Sequence, residues 1–386
     1  MFVTIVLDGV GIGAQPDSHQ YGDEDADTLG HVCAAARPAL PHLAALGLGR
    51  IAHLEGIEPV RDPSAAYGKM QEASAGKDST TGHWELAGIC LAEPFPTYPN
   101  GFPDELIDRF LEVTGCSGVL GNRVASGTAV IQDLGEEHEQ TGFPIVYTSV
   151  DSVFQVAAHK DVIPLDRLYD ICRRTREQIC VGKHDVGRVI ARPFTGSAGG
   201  YERVSGERKD YSRIPPAVPV QQVLQRAGVR TVAVGKIGDL FAGVGFDDMQ
   251  KTASNAEGVE VTLQRMRGGR GRTFIWTNLV DFDQEYGHRN DPVGFARALE
   301  AFDAAVPSLL EALPSGGRLV ITADHGNDPT TPGTDHSREY VPLLVYGGSS
   351  GHDLGVRASF IDHAASVAAY FDVAFDETLD AGARPF

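Results

Sequence analysis

Short apolar runs alternate along the chain with longer segments in which apolar residues recur every three or four positions. The longest such segment, 292–313, carries Phe295, Leu299 and Phe302 on one helical face and ends at Pro314. Runs that are apolar throughout and bounded by turn residues are typical of strands covered on both faces. Such runs predict four strands, at 2–7, 230–234, 274–280 and 319–322.

The alternation of strands and helices indicates an α/β fold with a mostly parallel sheet flanked by helices. The middle of the chain differs, because 93–103 is rich in Pro and aromatic residues and 192–216 in Gly, Pro, Arg and Tyr. We interpret residues 96–210 as an inserted, smaller α+β domain and residues 1–95 and 211–386 as one discontinuous core. The remaining predicted elements are helices at 104–113, 165–180, 218–227 and 362–371 and a strand at 145–148.

The composition is that of a folded globular protein, with 42% hydrophobic and 22% charged residues among 386. A net charge of −19 argues against nucleic acid or an anionic membrane as the main partner. No apolar run reaches the roughly 18 residues of a membrane helix, and Asp8 interrupts the first run too early for a signal peptide. Five cysteines without a CxxC pair argue against a disulfide framework, so we expect a cytoplasmic protein.

One basic fragment, RGGRGR at 267–272, resembles an RNA-binding box. The fragment occurs once in a strongly acidic chain, which favours a surface turn before the strand at 274–280. An RNA-binding module is therefore the weakest of the alternative functions.

Three predicted strands are followed by aspartates, and three histidines lie in the Gly- and Pro-rich segments nearby. Because the carboxyl ends of parallel strands meet at one edge of a sheet, we expect these side chains to converge there. Together they could bind two divalent cations, and a donor set without thiolate suits manganese or zinc. The alternative is that each histidine merely caps a loop. The six candidate ligands are Asp8, Asp283, His288, Asp324, His325 and His336.

The segment GKDSTTGHWE at 76–85 contains three consecutive hydroxyl side chains. A hydroxyl beside two cations loses its proton readily and becomes a nucleophile. A Ser/Thr run followed by Glu is equally typical of a helix start. The local sequence leaves both interpretations open.

Several longer motifs resemble the phosphopentomutases of the alkaline phosphatase superfamily, a family related to cofactor-independent phosphoglycerate mutase. The resemblance extends over nearly the whole chain, and the central motifs separate this family from others with the same metal motifs. It implies an alkaline-phosphatase-like core with an inserted cap domain. The motifs are VLDGVGIGAQPD, DTLGH, GKDSTTGHWE, GNRVASGT, YTSVDSVFQVAAH, GRVIARPF, VGKIGDLFAG, NLVDFDQEYGHRNDP and ITADHGNDPTTPGTDHSREYVPLL.

The resemblance implies two manganese sites and a hydroxyl nucleophile that follows Lys-Asp. One manganese ion would be held by Asp8, Asp324 and His325, and the other by Asp283, His288 and His336. The family usually has threonine at the nucleophile position, where this chain has Ser79 followed by Thr80. Ser79 is therefore the expected nucleophile, with Thr80 as the alternative.

The resemblance also implies residues that bind the sugar and the non-reacting phosphate. Ser149, Asp151 and Val153 match the sugar-facing segment of the family's cap. Arg188 matches a phosphate-binding arginine, and Lys236 is a lysine at the boundary between cap and core.

The expected function is that of a phosphopentomutase, which interconverts ribose 1-phosphate and ribose 5-phosphate and the 2-deoxyribose pair. The implied route runs through a phosphoserine or phosphothreonine enzyme and a bisphosphate, and a sugar bisphosphate primes the enzyme. The expected partner is a small-molecule pentose phosphate, without nucleic acid or membrane, and the expected assembly is a monomer or small oligomer. The alternatives are a metal-dependent phosphatase, a phosphoglycerate-type mutase on the same core, and a metal-binding protein without catalysis.

Overall fold

The computed structural model describes residues 1–149, 151–348, 350–375 and 382–386. Its chain divides into two compact units. The first unit combines Met1–Pro94 with Pro215–Phe386, and the second is Phe95–Ile214. The sequence had predicted an inserted domain at 96–210.

The strands and helices alternate through most of the chain. The strands are β1 (Phe2–Leu7), β2 (Ala66–Met70), β3 (Leu120–Val124), β4 (Ile145–Thr148), β5 (Val153–His159), β6 (Arg188–Thr195), β7 (Glu202–Arg203), β8 (Lys209–Ser212), β9 (Arg230–Val234), β10 (Asp248–Gln250), β11 (Thr273–Leu279), β12 (Arg318–Thr322), β13 (Val341–Tyr346) and β14 (Asp353–Arg357). The helices are α1 (Thr28–Ala36), α2 (Pro41–Leu46), α3 (Leu48–Ile51), α4 (Ser79–Leu86), α5 (Asp104–Thr114), α6 (Gly127–Thr141), α7 (Leu165–Gln178), α8 (Val220–Arg226), α9 (Ile237–Leu240), α10 (Asn255–Gly268), α11 (Pro292–Ala312) and α12 (Ile361–Tyr370). Short 3₁₀ turns lie at Ser18–Gln20, Gly182–His184, Ser205–Glu207 and Gly287–Arg289, and a π-helical turn at Phe282–Tyr286.

The first unit is built on an eight-stranded sheet in the order β10-β9-β11-β1-β12-β13-β2-β14. The five strands from β10 to β12 are parallel, β13 is antiparallel to both neighbours, and β14 is parallel to β2. Every residue of β1 and β11 is buried, as expected of parallel strands covered on both faces. The carboxyl ends of the parallel strands meet at one edge, which is where such sheets bind ligands.

Helices cover both faces of this sheet. On one face, the rings of Phe2 and Trp276 lie 6.2 and 5.6 Å from the ring of His363 in α12. On the other face, the hydroxyls of Thr277 and of Thr262 in α10 are hydrogen-bonded at 2.7 Å. Since adjacent strand residues point to opposite faces, α10 and α12 lie on opposite sides of the sheet. The predicted α/β class is confirmed.

The second unit has a six-stranded mixed sheet in the order β3-β4-β5-β6-β7, with β8 paired to β6. One face packs against α5 and α7 through a cluster that includes Phe102, Phe110 and Phe154. The ring centroids of Phe102 and Phe154 lie 4.4 Å apart. Helix α6 covers part of the other face, where Tyr147 is buried.

Although residues 192–216 are rich in Gly, Pro, Arg and Tyr, they contain the end of β6 and the whole of β7 and β8. Strand β6 pairs with β5 over seven positions. Its residues Val189 and Ala191 are buried in the core, whereas Arg188 and Arg192 are only partly buried. Ile190 between them is buried as well, so the strand lacks the period-two alternation that would have marked it, and Gly and Pro residues surround it.

Among the described residues, no helix combines the length and the hydrophobicity that crossing a bilayer requires.

His363 stabilises the contact between α12, β1 and α4 in its neutral form. Its Nε2 lies 2.8 Å from the hydroxyl of Thr4, and its Nδ1 lies 2.7 Å from the carbonyl oxygen of Leu86. Burial lowers the pKa of His363 to about 4, against an ordinary value of 6.5, despite the hydrogen bond to Leu86. Between these two values the unfolded chain binds more protons, so stability falls as the pH falls.

We expect the destabilisation caused by His363→Leu to be smaller at pH 5 than at pH 7. The loss in unfolding free energy should be about 2 kcal/mol smaller at pH 5 than at pH 7. The reason is that the wild type is itself less stable at pH 5, where its buried imidazole resists protonation, whereas the variant has no imidazole at this position. Denaturant titrations at the two pH values measure it. His53, which is exposed, provides the control variant His53→Leu. Equal destabilisation by His363→Leu at both pH values would contradict the prediction.

Candidate metal centre and nucleophile

Two aspartates follow neighbouring parallel strands at the carboxyl edge of the first unit's sheet. Asp8 follows β1 and Asp324 lies just after β12, and both are fully buried. Gly9 has a φ of +73°, and its backbone N–H donates to Asp324 Oδ1 at 3.1 Å. The turn after β1 thereby holds the two carboxylates side by side.

The first candidate ligand group consists of Asp8, Asp324 and His325, whose donor atoms all lie within 4.8 Å of one another. His325 Nε2 is 3.4 Å from Asp8 Oδ1 and 3.3 Å from Asp324 Oδ2. All three side chains are buried. This is the grouping that the sequence resemblance implied for one ion.

The second candidate group surrounds Asp283, which lies in the π-helical turn after β11. His288 Nε2 is 3.2 Å from Asp283 Oδ2, and His336 Nε2 is 3.3 Å from Asp283 Oδ1. The donor atoms of Asp283, His325 and His336 also lie within 4.8 Å of one another. His325 therefore belongs to both groups, and all six predicted ligands are gathered in one region.

Several atoms in these groups have no hydrogen-bond partner among the described residues. Asp8 Oδ1, Asp324 Oδ2 and His336 Nε2 are buried and make no hydrogen bond of good geometry, although imidazole or carboxylate atoms lie 3.0–3.4 Å from them. Burying polar atoms without hydrogen bonds is costly, and a common reason for such atoms is that they are ligands of an ion. Carboxylate oxygen and imidazole nitrogen are suitable donors for divalent cations such as Mn²⁺. The residues present fit a pair of divalent cations.

Neighbouring groups of opposite charge in the centre shift each other's pKa values strongly. Burial opposes protonation of His325, but Asp324 and the other neighbouring carboxylates raise its pKa to about 10. Burial likewise opposes ionisation of Asp283, yet His336 and His288 hold its pKa well below the ordinary value. Asp283 is thus ionised at neutral pH, and binding of a cation at His325 competes with protonation of its imidazole.

Ser79 is the first residue of α4 and faces this centre. Its Oγ lies 3.0 Å from His325 Nε2 and accepts a hydrogen bond from Lys236 Nζ at 2.9 Å. The side chain of Asp78 caps the helix by accepting from the backbone N–H groups of Thr80 and Thr81. The segment is therefore a helix start, and it also holds a hydroxyl beside the candidate ligands, so the two interpretations left open by the sequence coexist.

Lys236 lies within the centre, where it forms an ion pair with Asp8 Oδ2 in addition to its bond to Ser79. Burial opposes its charge, but Asp8, Asp283 and other carboxylates raise its pKa. Gly235, with a φ of +77°, makes the turn between β9 and Lys236. A Cβ at this position would lie 2.4 Å from the carbonyl oxygen of Asn278, so the turn requires glycine.

Three polar residues that the sequence did not single out hold the candidate ligands in place. Asn278 Nδ2 donates to Asp8 Oδ2 at 2.8 Å, and Asn327 Nδ2 donates to Asp283 Oδ1 at 2.7 Å. His83 Nδ1 lies 3.0 Å from Asp324 Oδ2. Each lies in or beside a quoted motif, and His83 is one helical turn after Ser79, which was the available signal.

Four of the five predicted sugar- and phosphate-binding residues, Ser149, Asp151, Val153 and Arg188, lie in the second unit, around the start of β5 and β6, whereas Lys236 lies in the first unit beside Asp8 and Ser79. Val153 pairs with Arg188 at the first position of both strands. Arg188 Nη2 is 3.9 Å from Asp151 Oδ2, and Arg188 Nη1 is 3.6 Å from Asp210 Oδ2. Ser149 follows β4 directly. The structure thus brings Asp151, Val153 and Arg188 together at one end of this sheet.

Comparison with known proteins identifies the family. The model of the Metalloenzyme superfamily matches residues 1–374. A phosphopentomutase of Caldanaerobacter subterraneus subsp. tengcongensis is 52% identical over 373 residues, covering 96% of this chain and 94% of that protein. A phosphopentomutase of Anaeromyxobacter sp. is 52% identical over 377 residues, covering 97% of this chain and 96% of that protein. The crystal structure of Leishmania mexicana phosphoglycerate mutase aligns with a TM-score of 0.49 at 13% identity, covering 99% of this chain and 97% of that one.

The matches to the curated relatives extend over nearly the full length of both chains. Identity of this degree shows a common family, and the predicted recognition is confirmed. The chain belongs to the Metalloenzyme superfamily and, within it, to the phosphopentomutase family, and it is an isomerase.

Proposed function

We propose that the protein interconverts ribose 1-phosphate and ribose 5-phosphate, and likewise the 2-deoxyribose phosphates. The names of the relatives at 52% identity support this substrate class. The observation that carries the proposal is the position of Ser79 Oγ, 3.0 Å from His325 Nε2, because His325 belongs to both candidate ligand groups. An alcohol so close to two cation sites suits phosphoryl transfer and has no use in a metal-binding protein without catalysis.

Each cation of the proposed site has three protein ligands. They are Asp8, Asp324 and His325 for one cation, and Asp283, His288 and His336 for the other. Oxygen and imidazole donors without thiolate favour Mn²⁺ over softer metals. When bound, the two cations would neutralise the phosphoryl oxygens and stabilise both the attacking and the leaving oxygen.

Phosphorylated Ser79 is the proposed resting form of the enzyme. The bond between phosphorus and Ser79 Oγ breaks while a bond forms between phosphorus and a hydroxyl oxygen of the sugar phosphate. The sugar hydroxyl loses its proton and Ser79 Oγ takes one up, which yields a bisphosphate and free Ser79. Lys236 Nζ, which donates to Ser79 Oγ at 2.9 Å, stabilises the charge that develops on this leaving oxygen. The bisphosphate then reorients and returns its other phosphoryl group to Ser79. A sugar bisphosphate from outside would load Ser79 for the first turnover.

The second unit is the proposed source of the residues that bind the pentose and its non-reacting phosphate. Arg188, which lies beside Asp151, is the candidate for the phosphate, since a guanidinium matches phosphate geometry. Ser149, Asp151 and Val153 are the candidates for the sugar. Positive charge here offsets the acidic net charge of the chain, which would otherwise repel an anionic substrate.

An assay of the purified protein with Mn²⁺, ribose 1-phosphate and a catalytic amount of a pentose bisphosphate tests the proposal. We expect ribose 5-phosphate to form much faster than inorganic phosphate, because transfer returns the phosphoryl group to the sugar. Parallel reactions with 2-deoxyribose 1-phosphate and 3-phosphoglycerate define the substrate class. Release of inorganic phosphate as the main product would favour a phosphatase, and preference for 3-phosphoglycerate would favour the related mutase.

A further inference from the structure

Arg338 is a buried arginine two residues after the candidate ligand His336, and only 2% of it is exposed. Its segment is attached to the loop that carries His325, because Gly326 and Ser337 exchange two backbone hydrogen bonds at 3.1 and 2.8 Å. The backbone N–H of Arg338 also donates to Asp23 Oδ2 at 2.9 Å. The main chain of Arg338 is therefore fixed relative to the candidate metal ligands.

The guanidinium of Arg338 holds the opposite side of the site, the segment that leads to Ser79. Nη1 donates to the carbonyl oxygens of Ser74 and Gly76 at 2.8 and 2.7 Å, and Nη2 donates to the carbonyl oxygen of Glu72 at 2.8 Å. Two carboxylates complete its surroundings, with Glu72 Oε2 at 2.8 Å and Asp17 Oδ2 at 2.9 Å. The positive charge is thus balanced within the protein and is not offered to a ligand.

The carbonyl groups that Arg338 binds lie three to seven residues before Ser79, in the connection between β2 and α4. The amide groups of the same segment have other partners. Ala73 and Ser74 donate to the carboxylate of Glu85, and Gly76 donates to the hydroxyl of Tyr21 at 3.1 Å. Strand β2 ends at Met70, so beyond it the main-chain groups of the segment are hydrogen-bonded to these side chains instead of to a neighbouring strand. These bonds set the path of the segment.

We propose that Arg338 is a positioning residue that sets the distance between the Ser79 hydroxyl and the candidate metal ligands. It joins the His336 segment to the Ser79 segment and touches neither the reacting oxygen nor a ligand atom. Its planar group with five N–H donors can bind three carbonyl oxygens at once, which a lysine ammonium cannot do in the same geometry. The inference rests on the proposed function, since it assigns Arg338 a part in phosphoryl transfer to and from Ser79.

The test is the variant Arg338→Lys, assayed with saturating Mn²⁺ and ribose 1-phosphate. We expect kcat to fall about 100-fold, because a displacement of about 1 Å at the reacting group has an effect of this size. We expect KM to change less than about threefold, since the sugar contacts are elsewhere. Arg357→Lys is the matched control, because the side chain of Arg357 is also largely buried but donates to Asp362 Oδ2 at 2.7 Å and to the carbonyl oxygen of Arg384, and to no carbonyl oxygen of residues 72–79. Its kcat should stay within about twofold.

A second readout separates this inference from the proposed function. Hydrogen exchange of the amides at 72–79 should become at least about tenfold faster in Arg338→Lys, while exchange in β1 stays unchanged. If the wild type does not turn over pentose phosphates, the proposed function fails, and the exchange rates still decide whether Arg338 holds this segment. Unchanged exchange at 72–79, or a kcat within about threefold of the wild type, would overturn the inference.

Tyr21→Phe provides a milder variant in case Arg338→Lys does not fold. It removes the hydroxyl that accepts from the Gly76 amide and keeps the ring that lies 5.1 Å from the Arg338 guanidinium. We expect the same direction of change, a kcat lowered about three- to tenfold at constant KM. A kcat equal to the wild type, together with unchanged exchange at 72–79, would contradict a positioning role for these contacts.

Discussion

Replacement of Ser79 by alanine is expected to lower kcat by on the order of 10⁴-fold or more while leaving the metal content nearly intact. Removal of a covalent nucleophile has effects of this size in other enzymes. Ser79 Oγ accepts from Lys236 and lies near His325, but Ser79 is not one of the candidate ligands. Steady-state kinetics with saturating Mn²⁺ and elemental analysis of the protein measure the two quantities.

Two matched variants make this prediction specific. Ser79→Thr keeps the hydroxyl and should retain kcat within about tenfold. Thr80→Val removes the neighbouring hydroxyl at nearly constant shape and should stay within about fivefold. Intact-protein mass spectrometry after incubation with a pentose bisphosphate should detect one added phosphoryl group in the wild type and none in Ser79→Ala. A phosphorylated, active Ser79→Ala together with an inactive Thr80→Val would assign the nucleophile to Thr80.

Replacement of His336 by alanine is expected to lower the affinity for one divalent cation by about 100-fold or more and the affinity for the other cation much less. The reason is that His336 belongs to the group around Asp283, whereas the group of Asp8, Asp324 and His325 does not include it. Loss of a direct ligand should cost at least as much as the 10- to 100-fold that loss of a supporting residue typically costs. Titration with Mn²⁺ under anaerobic conditions, followed by calorimetry, resolves the two binding steps.

His325→Ala is the contrasting variant, because His325 is a proposed ligand of one cation and its donor atom also lies within 4.8 Å of those of Asp283 and His336, beside the other. His325→Ala should lower the affinity for both cations, whereas His42→Ala, at an exposed position, should change neither affinity. Equal loss of both ions in His336→Ala would mean that the six residues do not form two separable sites. Unchanged binding in both His325→Ala and His336→Ala would remove the metal assignment altogether.

The sequence predicted best those strands that have a clear apolar run of their own. Strands β1 and β9 have the predicted bounds, since a short apolar run between turn residues is typical of a strand covered on both faces. Strand β2 was missed because its sequence, AYGKM, is short and contains glycine and lysine. It forms because β13 and β14 supply hydrogen bonds on both of its edges. Such pairing depends on residues more than 270 positions away and leaves no local signal.

For the candidate site, the sequence alone determined which chemistry was available. Acidic residues after parallel strands, histidines in tight loops and a hydroxyl run had to meet at one sheet edge, because the direction of the strands dictates where the chain emerges. The family resemblance then supplied the grouping into two cation sites, which remains a proposal together with the role of Ser79.

Only the tertiary structure decided which hydroxyl faces the centre and which side chains hold it there. The Asp78 side chain caps the helix at Thr80 and Thr81, and of the three consecutive hydroxyls it is that of Ser79 that lies next to His325. Asn278 and Arg338 act on residues 270 and 262–266 positions away, respectively. A hydrogen bond across such a separation depends on distance and angle in space, and neither quantity is encoded in the spacing of residues along the chain.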